Sequence, residues 1–337
     1  MSRIVLGFIG LGYWGPNLIR NFHKQEGVRV KTVADLSEDR LAKIKGDFPS
    51  IARTTTNYQD LLNDKEIEAI VIATPVSSHF QLAKEALEAG KHVLVEKPMT
   101  ATVAQAEELL EIAKRKKLTL MVDHTFLFSP QVEKIKELVD SGELGQLHYI
   151  DSTRINLGLF QSDINVVWDL APHDFSIVNH LIGKKPISLS AQGFKHPGDS
   201  KEAIAYLTVR YPDDLFVHIN VSWLSPVKMR LMLISGDKKM VAYDQIHPSE
   251  KIKVYDYGVK LKRSTETPFS PIYRAGDVWI PRTEAKEALE GVCKHFLDCI
   301  QSGEEPISGA EQGLLVVKLL ASVDQSLQKG GQEIKIS

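Results

Sequence analysis

Three groups of residues in this chain have types and spacings suited to chemistry. Glu96, Lys97 and Pro98 follow directly on the β-branched and leucine run His92 to Val95. That run reads as a short buried strand, and the helix before it stops at Gly90, so the charges stand at a strand's carboxyl end. In an open α/β sheet this is the edge where ligands bind. The second group is the segment Trp168-Asp169-Leu170-Ala171-Pro172-His173-Asp174. Asp169 and His173 are i and i+4, and on a helix that spacing puts both on one face, where a carboxylate can orient an imidazole or raise its basicity. The third is Gly10-Leu11-Gly12-Tyr13-Trp14-Gly15, a GxGxxG pattern whose glycines permit a tight turn and close backbone approach, so that a pyrophosphate can rest on a helix N-terminus. The first two groups also have plainer uses. Glu96 and Lys97 suit ordinary loop charges, and Asp169 suits a helix N-cap with Pro172 and His173 in the first turn.

The surrounding elements give these groups a frame. Ile4 to Ile9 is an apolar run before the glycines, and Asn17 to His23 reads as the helix after them. Val28 to Ala34 predicts a second strand ending in Asp35, twenty residues after Gly15, where a carboxylate can accept from ribose hydroxyls. The position favours NAD, because a carboxylate there repels a 2′-phosphate, although Ser37 and Arg40 lie close in sequence. Asp35 also suits a cap for the helix near Glu38. Ala69 to Ala73 predicts another strand, followed by a helix from Ser77 or Ser78 to Ala89, so Thr74 and His79 are either cofactor-side residues or capping groups. Thr102 with Gln105 makes a capping box for a helix to Arg115, and Thr119 to Val122 is a further strand. Strands alternating with helices predict a parallel, doubly wound sheet.

After Asp123 the pattern changes. A helix from Gln131 to Ser141 leads into runs with period two at Tyr149 to Arg154, Ala205 to Tyr211, Val217 to Trp223 and Met229 to Ile234, as in a sheet with two different faces. Two helices, near Glu284 to Gln301 and Glu311 to Gln328, close the chain. The expected architecture is an α/β Rossmann domain over residues 1–123 and an α+β domain over residues 124–337, with a large, mostly antiparallel open sheet.

Composition narrows the function classes. A length of 337 residues with 43% hydrophobic content suits two domains with substantial cores. The net charge of −2 gives no footprint for nucleic acid or an anionic membrane surface. Apolar runs are strand-sized, no leader pattern opens the sequence, and the two cysteines, Cys293 and Cys299, make no disulfide framework, so a cytoplasmic location is expected. No His/Cys cluster has metal-ligand spacing.

The glycine loop Gly10 to Gly15, the Glu96-Lys97-Pro98 strand end and, about seventy residues later, Asp169-x-x-x-His173, in that order along the chain, resemble the Gfo/Idh/MocA oxidoreductases, and the resemblance covers nearly the whole chain. Gly12-Tyr13-Trp14-Gly15-Pro16-Asn17-Leu18 and Trp168 to Asp174 look most like members acting on nucleotide-activated sugars, including UDP-N-acetylglucosamine 3-dehydrogenases. The resemblance implies NAD held by Gly10, Gly12, Tyr13, Trp14, Gly15, Asp35, Thr74, His79, Glu96 and Lys97, and a cis bond before Pro98. It implies that Lys97 polarises the reacting oxygen, His173 accepts the hydroxyl proton, and Asp169 fixes the imidazole or contacts the sugar. His124, Arg154 and Asn156, at or near strand ends, are candidates for substrate contact. Arg154, Lys228 and Arg230 are candidates for a diphosphate, and equally suit solvated edge charges. Assembly as a homodimer or homotetramer through the exposed face of the second sheet is also implied. The alternatives are an NAD(P)H-dependent ketosugar reductase running the same residues in reverse, a free sugar or polyol dehydrogenase, and an NAD-binding regulator without turnover.

Overall fold

The computed structural model of the protein describes residues 3–158, 160–161, 163–198, 200–262 and 270–336. The first unit is built from β1 (Ile4–Ile9), α1 (Gly15–His23), β2 (Val28–Ala34), α2 (Glu38–Asp47), β3 (Arg53–Thr55), α3 (Gln59–Leu62), β4 (Ala69–Ile72), α4 (Val76–Glu88), β5 (His92–Glu96), α5 (Val103–Lys116) and β6 (Leu120–Asp123). Its six strands run parallel in the order β3-β2-β1-β4-β5-β6. β1, β4, β5 and β6 are apolar on both faces because helices cover both sides of such a sheet, and Leu6, Phe8, Val71 and Leu94 are fully buried. The order reverses between β1 and β4, and the crevice at the carboxyl ends of those two strands is where this architecture takes a ligand.

The helix ends explain themselves locally. Ser37, not Asp35, caps α2, its hydroxyl accepting from the Arg40 N–H at 3.4 Å. Thr102 caps α5 by accepting from the Gln105 N–H at 3.3 Å, but the return bond of a capping box is not made, since Gln105 Oε1 has no partner.

The second unit contains α6 (Pro130–Asp140), β7 (Leu147–Leu157), α7 (Val166–Ile182), β8 (Ser188–Lys195), β9 (Glu202–Arg210), β10 (Phe216–Ser222), β11 (Leu224–Gly236), β12 (Met240–Asp244), β13 (Ile252–Lys262) and β14 (Ser270–Trp279). The chain then forms α8 (Ala288–Ser302), α9 (Ala310–Gln328) and β15 (Ile334–Lys335). Nine strands make one sheet, β14-β13-β12-β11-β7-β10-β9-β8-β15, antiparallel apart from β7 beside β10. Period two does its work here: Ala205, Leu207, Val209, Val217, Ile219 and Val221 are buried, while Tyr149, Tyr206 and Phe216 stand exposed.

The division of the chain differs from a single cut near residue 123. Residues 286–318 return to the first unit, and the rest of α9 and the C-terminal strand belong to the second. The cause is packing between residues distant in sequence. Phe296 of α8 meets Phe22 of α1 edge to face at 6.4 Å, Glu287 pairs with Arg20 at 2.6 Å, and the Val122 N–H donates to Ser308 O at 2.8 Å. Among the described residues no helix is long and apolar enough to cross a membrane.

Candidate active site

The glycine loop fits a dinucleotide on steric grounds. Gly10 has φ +96°, and a Cβ there would stand 2.5 Å from the Ala73 carbonyl oxygen, so only glycine lets the loop pass the end of β4. A Cβ on Gly15 would stand 2.3 Å from Gly10 O, which fixes how closely α1 follows the turn. Gly12 has nothing within 4 Å of its Cβ position, leaving the backbone open to a phosphate from outside. Tyr13 and Trp14 are exposed beside it with their rings edge to face at 5.1 Å. Asp35, at the end of β2, accepts from the Leu11 N–H at 2.6 Å and from the Ser37 N–H at 2.8 Å, and Arg40 lies 3.7 Å from it. The carboxylate therefore holds the glycine loop as well as standing where a ribose would come. Each oxygen keeps a second lone pair for a ribose hydroxyl.

Thr74 and His79 serve the loop architecture in this structure. Thr74 Oγ1 accepts from Ser78 Oγ at 2.8 Å. Both ring nitrogens of buried His79 face carbonyl oxygens, Pro98 at 2.9 Å and Thr74 at 2.7 Å, so the imidazole ties the end of β4 to the loop after β5. Burial pulls its pKa down, and the two carbonyls oppose that.

The Lys97–Pro98 peptide bond is cis, as the resemblance implies. Lys97 is half-buried, and its charge is felt by Glu96, Asp123 and His124, which surround it at the ends of β5 and β6. Glu96 is buried, and burial, then the nearby Asp123, pushes its carboxyl well above the usual range. Burial likewise raises Asp123 to about 6. His124 is 1% exposed with neither ring nitrogen hydrogen-bonded, and burial and Lys97 drop its pKa to about 3. Sequence reasoning passes over Asp123, which the strand register sets beside Glu96. The signal was a charged residue ending an apolar run on the strand beside Glu96.

In the second unit the candidate residues Asp169 and His173 lie on α7. Asn165 is its N-cap, accepting from the Val167 and Trp168 N–H groups at 3.1 and 3.2 Å. Asp169 is therefore not the cap, and Pro172 and His173 lie inside the helix, beyond its first turn. Asp169 Oδ2 accepts from the indole N–H of buried Trp223 at 3.0 Å, while Trp168 donates to Asp324 at 2.7 Å. Asp169 and His173 are half-buried on one helical face, in a helix whose other early positions are buried.

The expected substrate arginines differ from one another. Arg154 is 2% exposed and locked to Asp174, with Nε to Oδ2 at 2.7 Å and Nη2 to Oδ1 at 3.2 Å, so its charge is spent between the sheet and α7 rather than offered to a ligand. Ser152 completes the clamp at 2.8 Å. Arg230 sits opposite Arg154 in the β11–β7 register, half-buried, and its Nε is buried without an acceptor. Burial and the neighbouring Arg154 lower its pKa, against Asp174 and Asp169. Lys228 is exposed in the irregular stretch of β11, and Asn156 is half-buried near the end of β7. Among the described residues no group of His, Cys, Asp and Glu could hold a metal ion.

Residues 4–124 match the oxidoreductase family Gfo/Idh/MocA, NAD-binding Rossmann fold, and residues 132–242 match the Gfo/Idh/MocA C-terminal domain. The chain belongs to this family. Among relatives, it is 31% identical over 219 residues to the uncharacterized oxidoreductase YrbE of Bacillus subtilis, covering 61% of this chain and 64% of that one. It is 28% identical over 214 residues to a UDP-N-acetylglucosamine 3-dehydrogenase of Acidithiobacillus ferrooxidans, covering 62% and 64%. The matches thus span a little under two thirds of both proteins. The solved structure of UDP-N-acetylglucosamine 3-dehydrogenase GnnA from Acidithiobacillus ferrooxidans superposes with a TM-score of 0.81 at 22% identity, over 98% of this chain and 99% of that one. At that identity the likeness establishes the fold.

Proposed function

We propose that this Gfo/Idh/MocA protein oxidises a secondary hydroxyl of a nucleotide-activated amino sugar, at C3 of UDP-N-acetylglucosamine or a close UDP-amino sugar. The observation that carries the nucleotide part is Arg230. A guanidinium whose Nε is buried without an acceptor is costly until an anion arrives, and the charges of Asp169 and Asp174 are both felt there. A diphosphate has the charge and the oxygen geometry to satisfy it, with exposed Lys228 as a second cation. The relative named a UDP-N-acetylglucosamine 3-dehydrogenase supports the same class.

In this reading Lys97 donates to the reacting oxygen and His173 accepts its proton. Asp169, steadied by the Trp223 indole N–H, orients the imidazole or binds a sugar hydroxyl. NAD, held by the glycine loop and Asp35, supplies the hydride acceptor. Asn156 and His124 are proposed as further sugar contacts, and Tyr149, Tyr206 and Phe216 on the open sheet face as the surface for a second copy of the chain.

The test follows the sugar by mass spectrometry for loss of two hydrogens, with C3-deuterated UDP-N-acetylglucosamine, NAD and a carbonyl trap to draw the equilibrium forward. Loss of the C3 deuterium into the cofactor is expected. Retained deuterium in an oxidised product moves the chemistry to another carbon, and brisk turnover of a free polyol with none of any UDP-sugar sinks the nucleotide-sugar reading.

A further inference from the structure

We propose that Glu96 and Asp123 act as a carboxyl pair sharing one proton, which sets a single negative charge beside Lys97 and positions its ammonium. The last residues of β5 and β6 are register partners, Glu96 opposite Asp123, so their side chains leave the sheet on the same face. Both are buried. Asp123 Oδ1 accepts from the Thr125 hydroxyl at 2.8 Å, and Glu96 Oε2 from the Lys97 backbone N–H at 3.3 Å. Glu96 Oε1 and Asp123 Oδ2 have no N–H or O–H donor among the described residues, and the two carboxyls lie within hydrogen-bond range of each other. Two carboxylates in contact away from water cannot both stay ionised, and a proton between them satisfies both orphaned oxygens.

The groups facing the pair leave one source of compensation. His124, the next residue after Asp123, is buried and neutral; Cys293 of α8 is buried, with its thiol pushed up by that burial and by Asp123. Lys97 is the cation acting on both carboxyls. A pair with one proton and one charge balances one ammonium. Because the proton can sit on either carboxyl, that charge can face Lys97 from either side chain. Glu96 and Asp123 are thus positioning residues that act through Lys97, and their importance for turnover rests on the reading that Lys97 touches the reacting oxygen.

Carboxamide isosteres separate this from a merely structural role. In Glu96→Gln or Asp123→Asn the amide replaces the shared proton as donor and the remaining carboxylate keeps the charge; in the double variant the charge is gone. The expected result is strong non-additivity, with each single variant losing roughly fivefold in kcat and the double about a hundredfold, approaching Lys97→Met. NAD affinity, read by tryptophan fluorescence, should hold within about twofold in Asp123→Asn. Acylation of Lys97 by an acetylating reagent at neutral pH, counted by mass spectrometry, should accelerate about tenfold in the double variant alone, because the side chain has then lost its counter-charge.

Infrared difference spectra give a readout that needs neither turnover nor the double variant. Wild type should show the carbonyl stretch of a protonated carboxylic acid that each single variant lacks. Absence of that band from wild type, or a single variant as impaired as the double in both kcat and acylation, overturns the proposal. Normal turnover in Lys97→Met would instead overturn the catalytic reading of Lys97, while the infrared and acylation results still decide the pair.

Discussion

Replacing Asp174 by Asn tests whether the sheet and α7 of the second unit are held by the clamp on Arg154. Both side chains are 2% exposed, so water cannot replace what is lost. Asp174 accepts three bonds, two from Arg154 and one from Ser152. An amide keeps the shape but has one acceptor atom instead of two, turns its NH₂ toward a donor, and leaves a buried guanidinium without its counter-charge. Breaking a buried pair from one side costs about 3–5 kcal/mol. For a unit of this size that corresponds to roughly 6–20 °C in Tm, at about 2–4 °C per kcal/mol. Removing both charges with similar volume, Arg154→Met with Asp174→Leu, should recover most of the loss, because the double variant leaves no orphaned ion. Urea unfolding reads this through Trp168 and Trp223, both hydrogen-bonded to carboxylates in this unit. A loss under about 1 kcal/mol in Asp174→Asn, or a double variant no better than the sum of its parts, refutes the reasoning.

Asp35→Ala should narrow the preference for NAD over NADP by about tenfold, because the repelling carboxylate goes while Arg40 stays; a wild type that binds NADP at least as tightly in fluorescence titration defeats the assignment. His124→Phe should flatten the acid side of the stability profile. Folded His124 stays neutral down to about 3 whereas the unfolded imidazole protonates near 6.5, so the unfolded chain holds more protons between those values and stability, complete above about 6.5, falls as pH drops. Between about pH 6.5 and 5 the group accounts for up to about 2 kcal/mol of that fall, and urea midpoints that shift equally in wild type and variant refute it.

The parts of the fold legible in the sequence are those where one physical cause acts alone. β1 reads to the residue because a strand buried on both faces is a continuous apolar run that glycine ends, and β2 because buried and half-buried side chains alternate along it until Asp35 ends it. β3 has no such run: Arg53-Thr54-Thr55 is short, lies at the sheet edge and is only partly covered. β13 and β14 are the opposite edge of the second sheet, with Tyr257, Val259, Ile272 and Tyr273 exposed, so burial leaves little pattern on them. The return of α8 to the first unit was hidden because Arg20 and Glu287 are 267 residues apart.

The site shows the same limit more sharply. Lys97, Asp169 and His173 stand out because strand ends and helical spacing are local properties. Arg154 and Arg230 are alike in sequence, both basic and both within strands, yet their energetics are opposite. Register puts them side by side, and a single carboxylate, Asp174, lies within bonding reach of Arg154 through α7. That carboxylate neutralises one guanidinium and leaves the other with a buried, unsatisfied Nε. Two adjacent guanidiniums with one carboxylate in bonding reach leave a buried Nε donor without an acceptor, and the pairing that creates it exists only once β7, β11 and α7 have packed. Asp123 follows the same logic with the signs reversed. It becomes informative only when β5 and β6 bring it beside Glu96, where two acids must share what one cation can balance.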